Sequence, residues 1–376
     1  MLRIGFDAKR LLNNFTGFGN YSRNLVADLV THYPEYECIL FTPDVTETPD
    51  TRRILDSSSV SIVSPPRYRR YFWRTIGMRV DLHYQKLDVF HGLAHEIPNA
   101  VYSLSIPKLV TICDVVYRHF PSSYSPSIIR QKDKAIMSAC AAADHIIAIS
   151  ESTKHDLVEF FGIDPLAVTV IYPSCDVRFR NRGTAECITS SKAKYKLPQA
   201  YFLYVGSITE RKNLLTACQA LERIPLDDRM PLVVIGKRSN YFKKVREFIL
   251  THNLESWVKF VNVDSNDDLP LIYQGASLFI YPSLYEGFGI PVLEALSSGV
   301  PVVTSNISSL PEAAGNSSIL VDPTNPDELA SAIMAINNDE KLKKRIVADG
   351  YAHSKTFSGA NLSQQLISVY TRLCES

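Results

Sequence analysis

The sequence predicts an α/β protein built from two Rossmann-like, doubly wound parallel-sheet domains that face each other across a cleft. Three observations predict it. Short apolar runs alternate with helical segments along the whole chain. The runs are nearly continuous in Val, Ile, Leu and Phe, as strands covered on both faces are. A chain of 376 residues also exceeds one ordinary core, so two domains are expected.

In the first half, strands are expected at Leu2–Phe6, Glu37–Phe41, Val60–Val63, Val89–His91, Lys108–Cys113, His145–Ile149 and Val168–Ile171. Helices are expected over Tyr21–His32, Ser127–Ala143 and Ser150–Phe160, with Ser150 as the N-cap of the last. The rhythm repeats with strands at Tyr201–Val205, Leu232–Ile235, Val258–Phe260, Leu278–Ile280, Val300–Thr304 and Ile319–Val321. Between the halves, Asp176–Gln199 is polar and lacks apolar periodicity. The domains are therefore expected over residues 1–177 and 200–357, joined by a linker over 178–199. A last helix is expected near Ser358–Cys374, able to pack on either domain.

Forty basic residues against thirty-nine acidic ones give a net charge of +1, which speaks against a nucleic-acid partner. Seven scattered cysteines, without a C-x-x-C pair, argue against a disulfide framework or a structural zinc and fit a reducing cytoplasm. No stretch approaches the roughly 18 apolar residues of a membrane span.

In open α/β sheets, ligands bind beyond the carboxyl ends of the strands. Five post-strand loops qualify. In Tyr285-Glu-Gly-Phe-Gly-Ile-Pro-Val-Leu-Glu294, Gly287, Phe288 and Gly289 precede a helix whose first turn holds Pro291. Free N–H groups there suit an anion or a sugar hydroxyl. Glu286 and Glu294 flank them, and carboxylates accept well from paired hydroxyls. In Gly206-Ser-Ile-Thr-Glu-Arg-Lys-Asn213, Arg211 and Lys212 lead into a helix. A helix dipole disfavours cations at that end, so two of them there imply an anionic ligand such as a diphosphate. Gly17 and Gly19 let the backbone of Asn14–Tyr21 approach a phosphate. Ser22 stands where the dinucleotide fingerprint needs its third glycine, which disfavours a nicotinamide cofactor. Asp114 stands at a strand end. His91 and His95 stand at and after the end of another strand, and read equally as structural groups or as partners of a substrate hydroxyl or phosphate.

The segment Pro65–Arg79 carries five arginines and four aromatics without an acid. It suits an anionic membrane surface or a lipid diphosphate, and equally a solvated amphipathic helix. No Asp-x-Asp occurs, so a carboxylate-held Mg²⁺ is not indicated.

Glu286-Gly-Phe-Gly-Ile-Pro-Val-Leu-Glu294 resembles the E-x7-E motif of the retaining glycosyltransferases of family 4, which have the two-lobed GT-B fold. Gly206–Asn213 is similar to that family's donor-diphosphate loop. Thr16–Tyr21, Ile149–Lys154 and Phe357-Ser358 also fit, so the resemblance spans nearly the whole chain. It is nearest to bacterial mannosyltransferase-type members that build surface polysaccharides. The resemblance implies transfer of a hexose, mannose above all, from a GDP- or UDP-linked sugar to a glycan or lipid-linked glycan. It implies no cofactor and no metal.

By the same resemblance, Glu286 contacts the transferred sugar, with Gly287–Gly289 orienting it, and Glu294 binds the ribose. Arg211 and Lys212, with Gly206, neutralise the diphosphate, and Gly17 and Gly19 approach it from the N-terminal, acceptor-side lobe. The final helix (358–376) crosses back to that lobe. Relatives commonly carry His-Asp where this chain has Cys113-Asp114, and Asp114, His91 or His119 could compensate. A cytoplasmic protein, held peripherally at the inner membrane face through Arg67–Arg79, is the expected setting. A nucleotide-sugar epimerase, an inactive transferase lobe and a nicotinamide-dependent oxidoreductase are the alternatives.

Overall fold

The computed structural model describes Leu2–Glu375, apart from the Arg69 side chain. The chain divides into two units. The first runs to Ser174 and takes up the chain again at Phe357; the second covers Cys175–Thr356.

The first unit holds strands β1 (Arg3–Asp7), β2 (Glu37–Phe41), β3 (Val60–Val63), β4 (Val89–Gly92), β5 (Lys108–Ile112), β6 (His145–Ala148) and β7 (Val168–Val170). They form one sheet in the order β3-β2-β1-β4-β5-β6-β7. Every pairing is parallel. The order reverses between β1 and β4, the place at which open α/β sheets bind their ligands. Trp73, Phe41 and Phe90 fill the core beneath. The helix Gly359–Glu375 packs along the helix Gly17–His32 in this same unit.

The second unit holds β8 (Phe202–Val205), β9 (Leu232–Ile235), β10 (Val258–Val261), β11 (Leu278–Tyr281), β12 (Val302–Ser305) and β13 (Ile319–Val321). Its parallel sheet is ordered β10-β9-β8-β11-β12-β13, with the reversal between β8 and β11. Both sheets bear out the expected fold class.

Two local expectations are corrected. The stretch 178–199 is not a linker. It holds a helix, Ala185–Lys194, capped by Thr184 and packed on the helix Leu269–Gln274 of the second unit. Gln274 pins the turn before it, accepting from the Gly183 N–H at 2.8 Å and donating to the Asn181 carbonyl at 2.8 Å. This helix is polar because it buries little of itself; Ser191 is its one buried residue. The glycine stretch after β1 is also not a loop throughout, since Gly17 already begins the helix Gly17–His32.

Candidate active site

In the second unit, the loops after β8 and β11 flank the sheet's reversal. They carry Arg211, Lys212 and Glu286, and the structure brings these three together. Arg211 Nη1 lies 2.9 Å from Glu286 Oε2, and Lys212 Nζ lies 2.5 Å from Oε1. The Oε1 atom also accepts from Ser283 at 2.6 Å and from the Tyr281 hydroxyl at 3.1 Å. The two loops are stitched by backbone too: the Leu284 N–H donates to the Arg211 carbonyl at 2.7 Å. Burial pushes the Glu286 carboxyl up, but Lys212 and Arg211 outweigh it and hold it down at about 2. Glu286 is therefore an anion at neutral pH and can only accept hydrogen bonds. One carboxylate against two cations leaves this cluster with a net positive charge.

Three core tyrosines set the geometry. Tyr204 stands on β8, Tyr281 on β11 and Tyr273 on the helix Leu269–Gln274; their rings are buried and their hydroxyls reach site residues. Tyr204 donates to the Lys212 carbonyl (2.9 Å), Tyr281 to Glu286, and Tyr273 to Glu294 Oε2 (2.9 Å). Burial pushes all three phenols up, so they stay protonated donors. Ser308 and Ser309, after β12, hold the Glu286 backbone. Ser308 accepts from its N–H at 3.0 Å, and Ser309 donates to its carbonyl at 2.8 Å. None of these five residues stood out in the sequence.

Gly289 caps the helix Ile290–Ser297 at φ 114°, where a side chain would be strained. The Phe288 side chain is buried, which leaves its backbone as the part able to meet a ligand. Gly206 lies at the end of β8, its N–H bonded to the Ile235 carbonyl at 2.9 Å. Glu294 sits apart from the Glu286 cluster. Burial pushes its carboxyl up to about 7, against the pull of Tyr273 and Arg178.

In the first unit, Gly17, Phe18 and Gly19 form the first turn of Gly17–His32. A Cβ on Gly19 would lie 1.7 Å from the Asn14 carbonyl oxygen, so only glycine fits. Cys113 and Asp114 follow β5. Asp114 Oδ1 accepts from the Val116 N–H at 3.2 Å, which starts the short helix Val116–His119.

His91 corrects an expectation. It is wholly buried, with Nδ1 2.6 Å from the Tyr370 hydroxyl and Nε2 2.8 Å from Thr111 Oγ1. Burial pushes its ring down to about 3. A neutral ring with both nitrogens engaged inside the core serves packing, not substrate. His119 is likewise engaged, 3.0 Å from Asp156 Oδ1.

Two family models share nearly the whole chain. Residues 15–179 match Glycosyltransferase Family 4, and residues 188–353 match Glycosyl transferases group 1. The chain is also 28% identical to O-antigen chain mannosyltransferase B of Escherichia coli, over 99% of its own length and 100% of the relative's. It belongs to the family 4 glycosyltransferases. A second relative, the serotype-specific mannosyltransferase WbdA of Escherichia coli, is 32% identical over 62% of this chain; the chain spans only 29% of that longer protein. Among solved structures, Alr3699/HepE of Anabaena in complex with UDP aligns over 99% of this glycosyltransferase and 100% of its own chain. The TM-score is 0.77 at 16% identity, which shows the shared GT-B fold.

This glycosyltransferase also carries an unusual surface. The segment from Arg67 runs through short turns into the helix Met78–Gln85. Tyr68, Tyr71, Phe72, Ile76, Val80 and Tyr84 all face solvent, Tyr71 at 97% of its full area. Among its arginines, Arg74 turns inward to Asp7 and Glu96, Arg70 pairs with Asp44, and Arg79 holds Ser103. The Arg69 side chain, part of the expected basic patch, lies outside the described residues. Among the described residues, no helix is long and apolar enough to cross a membrane.

Proposed function

We propose that this glycosyltransferase moves mannose from a GDP- or UDP-linked donor to a growing surface glycan or its lipid-linked form, with retention and without a metal. The observation that carries the reading is the Arg211–Glu286–Lys212 cluster at the reversal of the second sheet. The relatives' names, both mannosyltransferases, supply the sugar.

The chemistry follows from the charges. When the donor's C1–O bond to phosphate breaks, negative charge grows on the leaving diphosphate. Arg211 and Lys212 neutralise it, held in place before the reaction begins. Glu286, fully ionised, accepts from hydroxyls of the transferred sugar and fixes its orientation. The acceptor hydroxyl attacks C1 from the face the phosphate leaves, and its proton passes to a phosphate oxygen. Gly287–Gly289 and Gly206 line the sugar and diphosphate. Gly17 and Gly19 contribute the amides of a helix start, and Asp114 is placed near the acceptor. The test is nucleotide release from a panel of GDP-, UDP- and ADP-sugars, with and without mannosyl acceptors and chelator. One donor should respond, more with acceptor and equally with chelator. An α-linked product by NMR checks retention; turnover that needs a divalent ion would overturn the metal-independent reading.

Glu294 is assigned to the nucleotide ribose, whose two hydroxyls need a carboxylate acceptor. Its carboxyl titrates near 7, faced by Tyr273, Asp176, Arg178 and Lys212. It takes up its charge as pH rises, so nucleotide affinity should climb between about pH 6 and 8, by up to about tenfold for one charge-assisted bond. Calorimetry at the two pH values should show this rise in the wild type and a flat profile in Glu294→Gln. Equal slopes would remove the assignment.

The exposed aromatic segment is assigned to an anionic membrane surface at the cytoplasmic face. A large apolar side chain moved out of water stabilises by about 1.5–3 kcal/mol, and Arg67 and Arg79 add charge attraction near the lipid. Replacing Tyr71, Phe72, Arg67 and Arg79 with Ser should abolish co-sedimentation with phosphatidylglycerol vesicles. Arg74 is left intact because it braces Asp7 and Glu96. Undiminished sedimentation would sink the membrane assignment.

A further inference from the structure

One group at the reversal of the first sheet has no part in the chemistry above. His95 follows β4 and holds a left-handed backbone at φ 65°. Non-glycine residues keep that conformation only where their surroundings enforce it, and such places cluster at ligand sites. Here the enforcement is visible. The His95 N–H donates to the Thr111 carbonyl at 2.9 Å, and ring Nε2 accepts from the Cys113 N–H at 3.1 Å. The Cys113 carbonyl in turn accepts from Thr153 at 3.2 Å. The Phe18 ring meets the imidazole edge to face, with centroids 4.9 Å apart. The loops after β1, β4 and β5 thus converge on this ring.

The contact fixes the tautomer. A backbone N–H can only donate, so Nε2 is the bare nitrogen and the ring proton sits on Nδ1. Burial pushes the ring down to about 3, Arg10 and Lys132 act the same way, and Glu96 acts against them. The ring is therefore neutral at pH 7. Its Nδ1–H has no hydrogen-bond partner among the described residues. A structural staple would need Nε2 alone. What remains is a rigid, uncharged donor at the reversal of the sheet, where ligands bind in open α/β folds.

We propose that His95 Nδ1–H binds the acceptor sugar by donating a hydrogen bond to one of its oxygens. The inference rests on the transferase reading. The charged groups assigned to the nucleotide sugar, Arg211, Lys212, Glu286 and Glu294, belong to the second unit; His95 belongs to the first, which adds only the backbone of Gly17 and Gly19 to the donor. Being neutral, it offers little to a phosphate and suits a hydroxyl. It takes up the neighbourhood where Cys113 stands, contributing a ring nitrogen that a thiol cannot supply.

Two measurements test this. Histidine ¹⁵N NMR of the wild type at pH 7 should report the Nδ1–H tautomer for His95; an Nε2–H or charged ring overturns the inference. The second is steady-state transfer with octyl α-mannoside as acceptor probe. His95→Ala should raise the acceptor KM about tenfold, the loss of one hydrogen bond, with the donor KM unchanged. His95→Asn tolerates the left-handed backbone and keeps both an acceptor and a donor, so it should recover most of that loss and rule out misfolding as the cause. Donor turnover by the wild type with an unchanged acceptor KM in both variants overturns the role of His95 alone. Failure of the wild type to turn over any nucleotide sugar overturns the transferase reading itself.

Discussion

Glu286→Gln is expected to cut the rate of transfer by about 10²–10⁴ while the protein stays folded. The upper part of that range comes from losing two things at once. The amide removes the charged acceptor meant for the sugar hydroxyls, and it releases Arg211 and Lys212 from their shared anchor. Misaimed cations no longer meet the charge that grows on the leaving phosphate, a fault that costs about 10²–10³ by itself. The fold survives because Gln has nearly the same shape, Ser308 and Ser309 still hold the backbone, and both cations can turn toward water. Nucleotide release at saturating donor, with circular dichroism on the same sample, decides it. A variant that transfers at the wild-type rate would dismantle the proposed site.

Lys212→Ala should lower kcat by about 10²–10³ and also weaken donor binding. A second effect follows from linkage. The Glu286 carboxyl, ordinarily near 4.5, is held at about 2 chiefly by Lys212. A depressed carboxyl adds stability above its unfolded pKa, and that stability is lost as pH falls through its folded one. The wild type should therefore melt well above Lys212→Ala at pH 7, and the gap should narrow steadily from pH 4.5 toward pH 2. A gap independent of pH would mean that Lys212 stabilises by packing rather than by its charge.

The strands were legible because parallel strands buried on both faces cannot avoid being apolar. Leu232–Ile235, buried throughout, begins and ends where its apolar run does. The helix Ala185–Lys194 was invisible for the converse reason: it lies on the surface and carries no apolar stripe. Its one signal was the cap Thr184, inside a polar stretch that otherwise reads as a tether. At the candidate site, the charged residues announced themselves because two cations at a helix start conflict with the dipole. The hydroxyls of Tyr204, Tyr273, Tyr281, Ser308 and Ser309 gave no such signal. Each looks like ordinary strand, helix or loop content, and only the folded unit shows that their oxygens meet Lys212, Glu286 and Glu294. His91 misled because a strand-end histidine reads alike in both roles; its partner Tyr370 lies 279 positions away.

That partnership has a consequence for biosynthesis. His91 and Thr111 belong to the middle strands of the first sheet, yet the hydroxyl that completes their network comes from Tyr370, made only after the whole second unit. Leu366 and Tyr370 are buried in the same unit, which is otherwise finished by Ser174. Domains generally fold in order as they leave the ribosome. Here the second unit, though later in the chain, is the first whose residues are all present. The first must wait, its histidine pair site open, until translation has passed residue 370. An emerging chain thus exposes an unfinished apolar seam during the synthesis of nearly two hundred residues, and chaperones that shield such seams would act on this interval.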